Sequence, residues 1–401
     1  MERKRHCYLG SLILLITTIY SVFITSKHSI KNEPRGYHVE NRVEAIIPKS
    51  KSAVISKEPN IVYKERSRSE NWTQPPPRIS TTAQKVIVLA KTHKTASSTL
   101  ATIIQRFGIT NNLSFALPKL VVRFGFTPFT SDMLAIQPKH GGFHIFVNHV
   151  PFNKTSIQQV MKPKAKFVTI VRNPVTHFSS AVNFYNVAKR FNMSGNIYSP
   201  DFAFSTLLKR IEQSNHISCR YTYNGQMRDL GQFHKESDLS REVIAERIKL
   251  LDEQFDLVLL QDYFDESLIL LRREMFWSFE DIVYNSMKVR ERERELPRQH
   301  HIDVITKWNY VDVMLYKYFK EVLQNKIKEY GPSFGNDLRH FRRVKTEVLN
   351  LCQKKPKSEG CHDFRKDVPS YTILSIRKEN ETLARKLLQT KQMRRKNLTL
   401  F

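Results

Sequence analysis

The sequence contains few cysteines, and none lies in the pattern of a common zinc site. Only 4 of its 401 residues are cysteine, and no two have C-x-x-C spacing. Cys7 lies at the edge of a hydrophobic run, whereas Cys352 and Cys361 are near enough to close a small loop in an oxidising compartment. Cys219 would then remain unpaired. We therefore expect no metal site, and the sequence leaves open whether Cys352 and Cys361 are bonded.

The sequence also lacks the zinc-finger, RNP and basic-zipper signatures of nucleic-acid-binding proteins. Its 65 lysines and arginines nevertheless outnumber its 38 aspartates and glutamates, which gives a formal net charge of +27. Such a charge favours an anionic partner, such as a nucleotide, an acidic glycan or a membrane surface. We expect no nucleic-acid partner, and we expect much of the basicity to be solvated surface.

Residues 8–25 form a hydrophobic run without a charged residue. At about 18 residues, the run reaches the lower limit for a membrane-spanning helix. Arg3, Lys4 and Arg5 precede it, which favours a cytoplasmic N-terminus. No small-x-small cleavage site follows, so an uncleaved signal-anchor is favoured over the alternative of a cleaved signal peptide. We predict a type II membrane protein, with a cytoplasmic tail at 1–7, a transmembrane anchor at 8–25 and a luminal remainder.

The segment after this run has the composition of a stem. Residues 26–83 are polar and charged, include three consecutive prolines and show no sustained periodicity, so they need not pack. Residues 84–401 are then the luminal domain. Sequons for N-glycosylation agree with a luminal location. They lie at Asn71, Asn112, Asn153, Asn192, Asn380 and Asn397.

The folded region shows a repeated β-then-α order. Apolar runs predict strands at residues 86–90, 144–147, 167–171 and 256–260. Amphipathic patterns predict helices at 97–107, 266–273, 279–284 and 302–328, with a charged helical tail after 378. This order predicts an α/β fold with a central parallel sheet flanked by helices.

The first predicted strand leads into a loop rich in hydroxyls and lysines, directly before a helix. Backbone N–H groups at a helix start, together with hydroxyls and a lysine, suit a phosphate or sulfate group. The loop has no glycine and is not a Walker A motif; an ordinary capped helix is the alternative interpretation. Its residues are Lys91, Thr92, His93, Lys94, Thr95, Ala96, Ser97, Ser98 and Thr99.

A second candidate anion site follows the third strand. Arg172 lies where that strand ends, and Pro174 suits the first turn of the next helix. Ser180, one to two turns into that helix, can face back toward Arg172 and share an anion with it. Two anion sites at the carboxyl ends of parallel strands suit a nucleotide with phosphates at both its 5' and 3' positions. That requirement is met by 3'-phosphoadenosine-5'-phosphosulfate (PAPS).

These segments resemble a known family. The strings KTHKTASSTL at 91–100, NLSFALP at 112–118, and YFDESL at 263–268 with Leu271-Arg272-Arg273 are similar to the galactose 3-O-sulfotransferases, Golgi membrane enzymes with a P-loop-like sulfotransferase fold. The resemblance implies that residues 91–99 hold the 5'-phosphosulfate of PAPS, and that Arg172 with Ser180 holds its 3'-phosphate. It also implies sulfate transfer to the 3-hydroxyl of galactose on a glycolipid, such as galactosylceramide, or on a glycoprotein glycan.

Sulfate transfer requires a base for the acceptor proton and positive charge for the leaving phosphate. Lys94 is the predicted catalytic cation. Among His140, His144 and His149, we choose His149 as the base, because it follows a strand and is similar in position to the catalytic histidine of hexuronic 2-O-sulfotransferases; His93 is the second choice. The family's histidine strip usually continues with an arginine and an aromatic, whereas here Val150 and Pro151 precede Phe152. This departure puts the acceptor in doubt more than the reaction.

Two other functions remain open on the sequence alone. One is a sulfotransferase for another glycan, such as a glycosaminoglycan hexuronic acid. The other is a membrane-tethered lectin or heparin-binding protein without enzymatic activity. Lys94, Arg172 and Ser180 all lie at the positions expected for PAPS-binding residues, which argues against the non-enzymatic alternative.

Overall fold

The computed structural model of the chain describes residues 82–119, 123–138, 141–214, 216–232, 240–285, 297–356, 361, 364 and 366–379. The predicted cytoplasmic tail, the predicted anchor and nearly all of the predicted stem lie outside these residues, as does His140. The sequons at Asn71, Asn380 and Asn397 lie outside them as well. No helix within the described ranges is long and apolar enough to cross a membrane.

Four parallel strands form the central sheet, in the order β2-β1-β3-β4. They are β1 (Ile87–Ala90), β2 (Ile145–Phe146), β3 (Lys166–Val171) and β4 (Leu257–Leu260). The prediction of a parallel sheet is confirmed, and each strand lies where its apolar run predicted it. Val88 in β1 is opposite Phe146 on one side and Phe167 on the other. Because the strands run in one direction, the loops that follow β1 and β3 emerge side by side at the same edge.

Helices surround this sheet and are numbered here in chain order. They are α1 (Ser97–Thr110), α2 (Lys154–Gln158), α3 (Pro174–Phe184), α4 (Val187–Arg190), α5 (Phe204–Glu212), α6 (Ile217–Arg220), α7 (Gly225–Asp229), α8 (Arg241–Gln254), α9 (Phe264–Met275), α10 (Gln299–Trp308), α11 (Tyr310–Tyr330), α12 (Phe334–Lys354) and α13 (Val368–Glu379). The helices predicted at 97–107 and 266–273 are thus confirmed as α1 and α9.

The single helix predicted at 302–328 is wrong, because the chain breaks into α10 and α11 at Asn309. Asn309 is buried, and its side-chain oxygen accepts a hydrogen bond from the backbone N–H of Asn224 at 2.7 Å. Beyond the break, the apolar pattern resumes, since Leu315 and Phe319 are both buried in the core. Periodicity alone therefore does not reveal the break at Asn309.

The helix predicted at 279–284 is also wrong, because these residues form turns. The backbone N–H of Ser278 donates to Asp281 Oδ2 at 2.9 Å, and the backbone N–H of Asp281 donates to Ser278 Oγ at 3.2 Å. Such local bonds between side chains and the backbone compete with the bonds of a helix.

The helix that follows β3 is fixed at its start and along its buried face. The side-chain oxygen of Asn173 accepts a hydrogen bond from the N–H of Val175 at 3.0 Å, and Pro174 occupies the first turn of α3. Further along α3, Phe178 packs in a small hydrophobic cluster with Ile305 of α10. Arg172 and Ser180 are therefore carried on a well-supported segment.

The cysteines divide into one bonded pair and one free thiol within the described residues. Cys352, near the end of α12, forms a disulfide with Cys361, and their Cα atoms lie 5.1 Å apart. Cys219 is buried and free. The pairing that the sequence left open is thus present.

Candidate active site

The loop between β1 and α1 wraps around the start of the helix. Lys94 and Ala96 have positive φ angles, 61° and 66°, and no side chain caps α1. The first turn of α1 also contains no acidic residue. A left-handed turn that leads into an uncapped helix start directs backbone N–H groups at one point and can bind an anion.

Several hydroxyls of this loop hold it in place. Thr92 is buried, and its hydroxyl donates to the carbonyl oxygen of Ile170 in β3 and contacts Thr95 Oγ1 at 2.6 Å. The hydroxyl of Ser97 donates to the carbonyl oxygen of Thr92. These three side chains fasten the loop to the sheet, whereas Ser98 is exposed at the first turn of α1. Thr99, in the same turn, is half-buried.

The two predicted anion-binding segments are in direct contact. Arg172 Nη1 donates a hydrogen bond to the carbonyl oxygen of Lys94 at 3.1 Å. The Arg172 Nε–H donates to Thr176 Oγ1 at 2.9 Å, which holds the guanidinium beside α3. The ammonium of Lys94 lies 3.6 Å from the ring centroid of Phe184, at the far end of the same helix. Two cationic side chains from different loops thus share one edge of the sheet.

The two serines of α3 differ in their surroundings. Ser179 donates to the carbonyl oxygen of Val175 and contacts the hydroxyl of Tyr198, so it faces the interior. Ser180 is half-buried, and its hydroxyl has no hydrogen-bond partner among the described residues. Of this pair, Ser180 is the one whose hydroxyl can meet a ligand.

His93 is held by a carboxylate that the sequence analysis did not identify. Asp229, at the end of α7, accepts hydrogen bonds from the His93 backbone N–H at 2.6 Å and from the ring Nδ1 at 2.8 Å. The two side chains are only 18% and 10% exposed. With its proton on Nδ1, the His93 ring keeps Nε2 free to accept a proton, and the carboxylate can stabilise the resulting charge.

His149 stacks on His93, with ring centroids 3.9 Å apart. The His149 Nδ1–H donates to the carbonyl oxygen of Lys91 at 3.0 Å, which directs the other ring nitrogen away from that carbonyl. Burial, followed by the nearby charges of His93 and Lys91, holds the pKa of His149 well below its usual value. The His149 imidazole is therefore neutral at physiological pH.

His144 lies elsewhere. It precedes β2, at the opposite edge of the sheet, and its Nδ1 contacts Ser114 Oγ at 2.8 Å. Burial, followed by the charge of Lys162, lowers the pKa of His144. Of the histidines that the sequence singled out, only His93 and His149 are brought together among the described residues.

Three further buried groups hold the site together. The His177 Nε2–H donates to the carbonyl oxygen of His93 at 2.9 Å, and burial lowers the pKa of His177 to about 4. The side-chain amide of Gln226 accepts from the Arg172 backbone N–H at 2.7 Å and donates to the Arg172 carbonyl at 2.9 Å. Asp312 of α11 accepts from the backbone N–H groups of Gln226 and Met227 at the start of α7, and burial raises the pKa of this carboxyl to about 7.

Neither these supporting residues nor Asp229 was identified in the sequence. Asp229 would have been the easiest to find, because it is an acidic residue in a short polar segment that follows the only Tyr-x-Tyr-Asn-Gly string of the chain. Nothing in that string, however, indicates contact with His93. His177 and Asp312 lie in helical patterns that look like ordinary polar positions. No group of three or more His, Cys, Asp or Glu side chains among the described residues is arranged to hold a metal ion.

The arrangement combines an anion-binding loop and two cations with a neighbouring histidine and carboxylate. The cations can bind and stabilise a phosphorylated leaving group, while the His93–Asp229 pair can accept a proton from a nucleophile. Such a site suits transfer of an anionic group to a hydroxyl.

Comparison with known proteins leads to the same chemistry. The family model described as Galactose-3-O-sulfotransferase matches residues 51–362. The galactosylceramide sulfotransferase of Mus musculus is 28% identical over 327 residues, which cover 75% of this chain and 75% of that protein. The galactosylceramide sulfotransferase of Homo sapiens is 32% identical over 66% of this chain, and the match spans 63% of that relative's length. The Homo sapiens galactose-3-O-sulfotransferase 2 is 30% identical over 66% of this chain and 67% of its own length.

Proposed function

Because the chain belongs to the galactose-3-O-sulfotransferase family, and is therefore a sulfotransferase, we propose that it transfers sulfate from PAPS to the 3-hydroxyl of galactose on a glycolipid or glycoprotein glycan. The observation that carries the proposal is the contact between Arg172 and Lys94 beside the His93–Asp229 pair. Donor-binding cations and a proton acceptor then lie within one site.

The residues of this edge fit a nucleotide with two separate phosphate groups. The uncapped start of α1, with Lys94 and the exposed Ser98, supplies donors for the 5'-phosphosulfate. Arg172 and the hydroxyl of Ser180, which has no partner in the part of the chain that the structure describes, supply donors for the 3'-phosphate. When bound, PAPS supplies the sulfuryl group and leaves as adenosine 3',5'-bisphosphate. Lys94 stabilises the negative charge that develops on the leaving phosphate.

The acceptor hydroxyl needs a base, and His93 is better supported in this role than His149. Protonation of His93 creates a positive charge next to the Asp229 carboxylate, 2.8 Å from Nδ1. Protonation of His149 instead creates a charge in a buried position that faces Lys91 and Arg123, which is why the pKa of His149 is low. The sequence-based choice of His149 remains the alternative. As proposed, His93 Nε2 takes the hydroxyl proton while the acceptor oxygen forms its bond to sulfur.

We assign the enzyme to the Golgi membrane as a single-pass type II protein with its catalytic domain in the lumen. The basic tail and the hydrophobic run at residues 8–25 support this topology. The Cys352–Cys361 disulfide is typical of an oxidising compartment. Asn112, Asn153 and Asn192, the sequon residues within the described ranges, are all exposed and so accessible to glycosylation.

Acceptor profiling tests the activity. The purified full chain in detergent would be incubated with sulfur-labelled PAPS and galactosylceramide, N-acetyllactosamine or a desulfated hexuronic-acid polymer. We expect label on the two galactosides. Analogues of them that lack the galactose 3-hydroxyl, assayed in parallel, should carry none. Transfer to the polymer alone would support the hexuronic acid alternative. Failure to bind adenosine 3',5'-bisphosphate in calorimetry would support a non-enzymatic glycan-binding protein.

Cell imaging tests the location. The tagged full chain should co-localise with a Golgi marker, and N-glycosidase digestion should lower its apparent mass. A glycan-free protein in the cytosol would contradict the proposed topology.

A further inference from the structure

A series of aromatic rings runs from the surface to the proposed base. Phe184, Tyr185, Tyr221, His93 and His149 follow one another, with successive ring centroids 5.0, 5.1, 4.0 and 3.9 Å apart. We call these five rings the aromatic series. Phe184 is 48% exposed, Tyr185 is half-buried and Tyr221 is buried beneath it. The series therefore offers a surface at its outer end and the histidine pair at its inner end.

Separate parts of the chain contribute these rings. Phe184 and Tyr185 lie at the end of α3, Tyr221 follows α6, and the histidines follow β1 and β2. The Lys94 ammonium lies 3.6 Å from the ring centroid of the exposed Phe184. A molecule that contacts the outer rings therefore lies beside the loop that carries the proposed donor-binding cation.

Arg123 reaches the same site from another segment. The residue pairs with His149 in an isolated parallel bridge, and the backbone N–H of the following Phe124 donates to the His149 carbonyl at 2.8 Å. The Arg123 guanidinium lies 4.2 Å from the ring centroid of the exposed Phe126. Its charge is close enough to Tyr185 and Tyr221 to oppose the rise in pKa that burial causes in both phenols. An arginine thus approaches the histidine pair and both tyrosines from a separate segment.

Galactose has a face that suits an aromatic ring. With its 4-hydroxyl axial, β-galactose presents the C–H bonds of carbons 3, 4 and 5 on one side, and these are attracted to the negative face of an aromatic ring. In glucose, the C4–H bond points to the opposite side, so this continuous patch is lost. Galactose hydroxyls can meanwhile accept hydrogen bonds from a guanidinium.

On the basis of the proposed function, we propose that Phe184 and Tyr185 bind the C–H face of the acceptor galactose, while Arg123 donates hydrogen bonds to its hydroxyls. Tyr221 supports Tyr185 from beneath and joins it to His93. The aromatic surface then distinguishes galactose from glucose, and it adjoins the donor-binding loop through the contact between Phe184 and Lys94.

Steady-state kinetics of the full chain with N-acetyllactosamine tests this subsite. We expect Tyr185→Leu and Phe184→Leu to raise the acceptor KM about threefold to tenfold, the effect of losing an aromatic stack. Tyr185→Phe, which keeps the ring, should remain within about twofold of the unsubstituted enzyme. The PAPS KM and the affinity for adenosine 3',5'-bisphosphate should not change in the two Tyr185 variants, whereas Phe184→Leu also removes the ring beside the Lys94 ammonium and should raise the PAPS KM as well. Arg123→Ala should likewise raise the acceptor KM and leave the PAPS KM unchanged.

The matched control is Tyr318→Leu. Tyr318 is also half-buried, but its hydroxyl donates to Asp252, in the turn of α8 that leads into the opposite edge of the sheet. The control should retain the normal acceptor KM. If Tyr185→Leu does not fold, Arg123→Ala carries the test through its effect on the acceptor KM.

The outcomes separate this inference from the proposed function. If the unsubstituted enzyme sulfates galactosides but Tyr185→Leu and Phe184→Leu keep the normal acceptor KM, the aromatic subsite is wrong and the proposed function stands. An Arg123→Ala variant that raises only the PAPS KM contradicts the role of Arg123. If the unsubstituted enzyme binds the bisphosphate but sulfates no galactoside, the proposed function fails, and the subsite fails with it.

Discussion

The imidazole rings of His93 and His149 lie face to face, 3.9 Å apart and inclined by only 15°. Two positive charges at this distance would repel strongly in a partly buried site. Asp229 contacts His93, whereas Lys91 and Arg123 face His149. The pair is thus asymmetric, and only His93 of the two has a carboxylate partner, which is why we propose it as the base.

This asymmetry predicts unequal effects of matched substitutions. His93→Gln removes the proposed base, so kcat should fall by about 100-fold to 10,000-fold. Asp229→Asn should also lower kcat, since the developing charge loses its carboxylate partner. His149→Gln can still donate to the Lys91 carbonyl and should lose far less. The measurement is single-turnover sulfate transfer at saturating PAPS, with bisphosphate binding as the check that the donor site is intact.

The reverse order of effects would assign the base to His149. In that case, His149→Gln and His149→Ala would both lose turnover by a similar large factor, while His93→Gln would remain within a few-fold of the unsubstituted enzyme.

Lys94→Ala should abolish most sulfate transfer without unfolding the protein. Loss of one charge at the leaving phosphate lowers the rate by about 100-fold or more. Lys164→Ala is a matched control, because Lys164 has a similar backbone angle, φ 60° against 61°, and is exposed before β3, at the opposite edge of the sheet. Both variants keep a Cβ atom at a positive φ angle, so the backbone strain stays the same in both and only Lys94→Ala should lose activity. Near-normal turnover of a folded Lys94→Ala protein would remove Lys94 from the donor site.

Arg172→Ala and Ser180→Ala should act mainly on the PAPS KM. A charge-assisted contact to the remote 3'-phosphate contributes roughly 1.5 to 3 kcal/mol, which corresponds to a tenfold or larger rise for Arg172→Ala. Ser179→Ala is the control for the serine, since its hydroxyl contacts Tyr198 in the interior. Initial rates at varied PAPS and fixed acceptor give the answer. An effect confined to the acceptor KM would show that this segment does not bind the donor.

His177 should make the fold sensitive to acid. Its pKa is about 4 in the folded protein against 6.5 for an ordinary histidine, so the unfolded chain binds more protons between these values. Stability should therefore fall as pH decreases through this window, by up to roughly 3 kcal/mol in total. His177→Gln can keep the hydrogen bond to the His93 carbonyl but cannot titrate. Urea unfolding at pH 7 and pH 5 should show a smaller difference for His177→Gln. Equal differences in the two proteins would mean that His177 does not dominate this acid response.

The sequence by itself determined the sheet and the positions of the two loops proposed to bind anions. Each strand is a short apolar run, and short runs followed by amphipathic segments identify parallel strands without knowledge of distant contacts. Lys94 and Arg172 could be found because each lies in the loop that follows such a strand. The carboxyl ends of parallel strands lie at the same edge of the sheet, so these two loops are neighbours. The prediction of one long helix at 302–328 was wrong for the opposite reason. The break at Asn309 involves a hydrogen bond with Asn224 that no local pattern reveals.

Only the tertiary structure decided which groups surround the histidines. His93 and Asp229 are 136 residues apart in sequence, and their contact requires α7 to be fixed by Asp312 of α11. Arg123 and Tyr221 reach the same pair from two other segments. Sequence patterns report whether a residue is locally buried or exposed, because periodicity reflects one element at a time. Which side chains meet is set by the packing of several elements together, and that packing gives His93 its carboxylate and keeps His149 neutral.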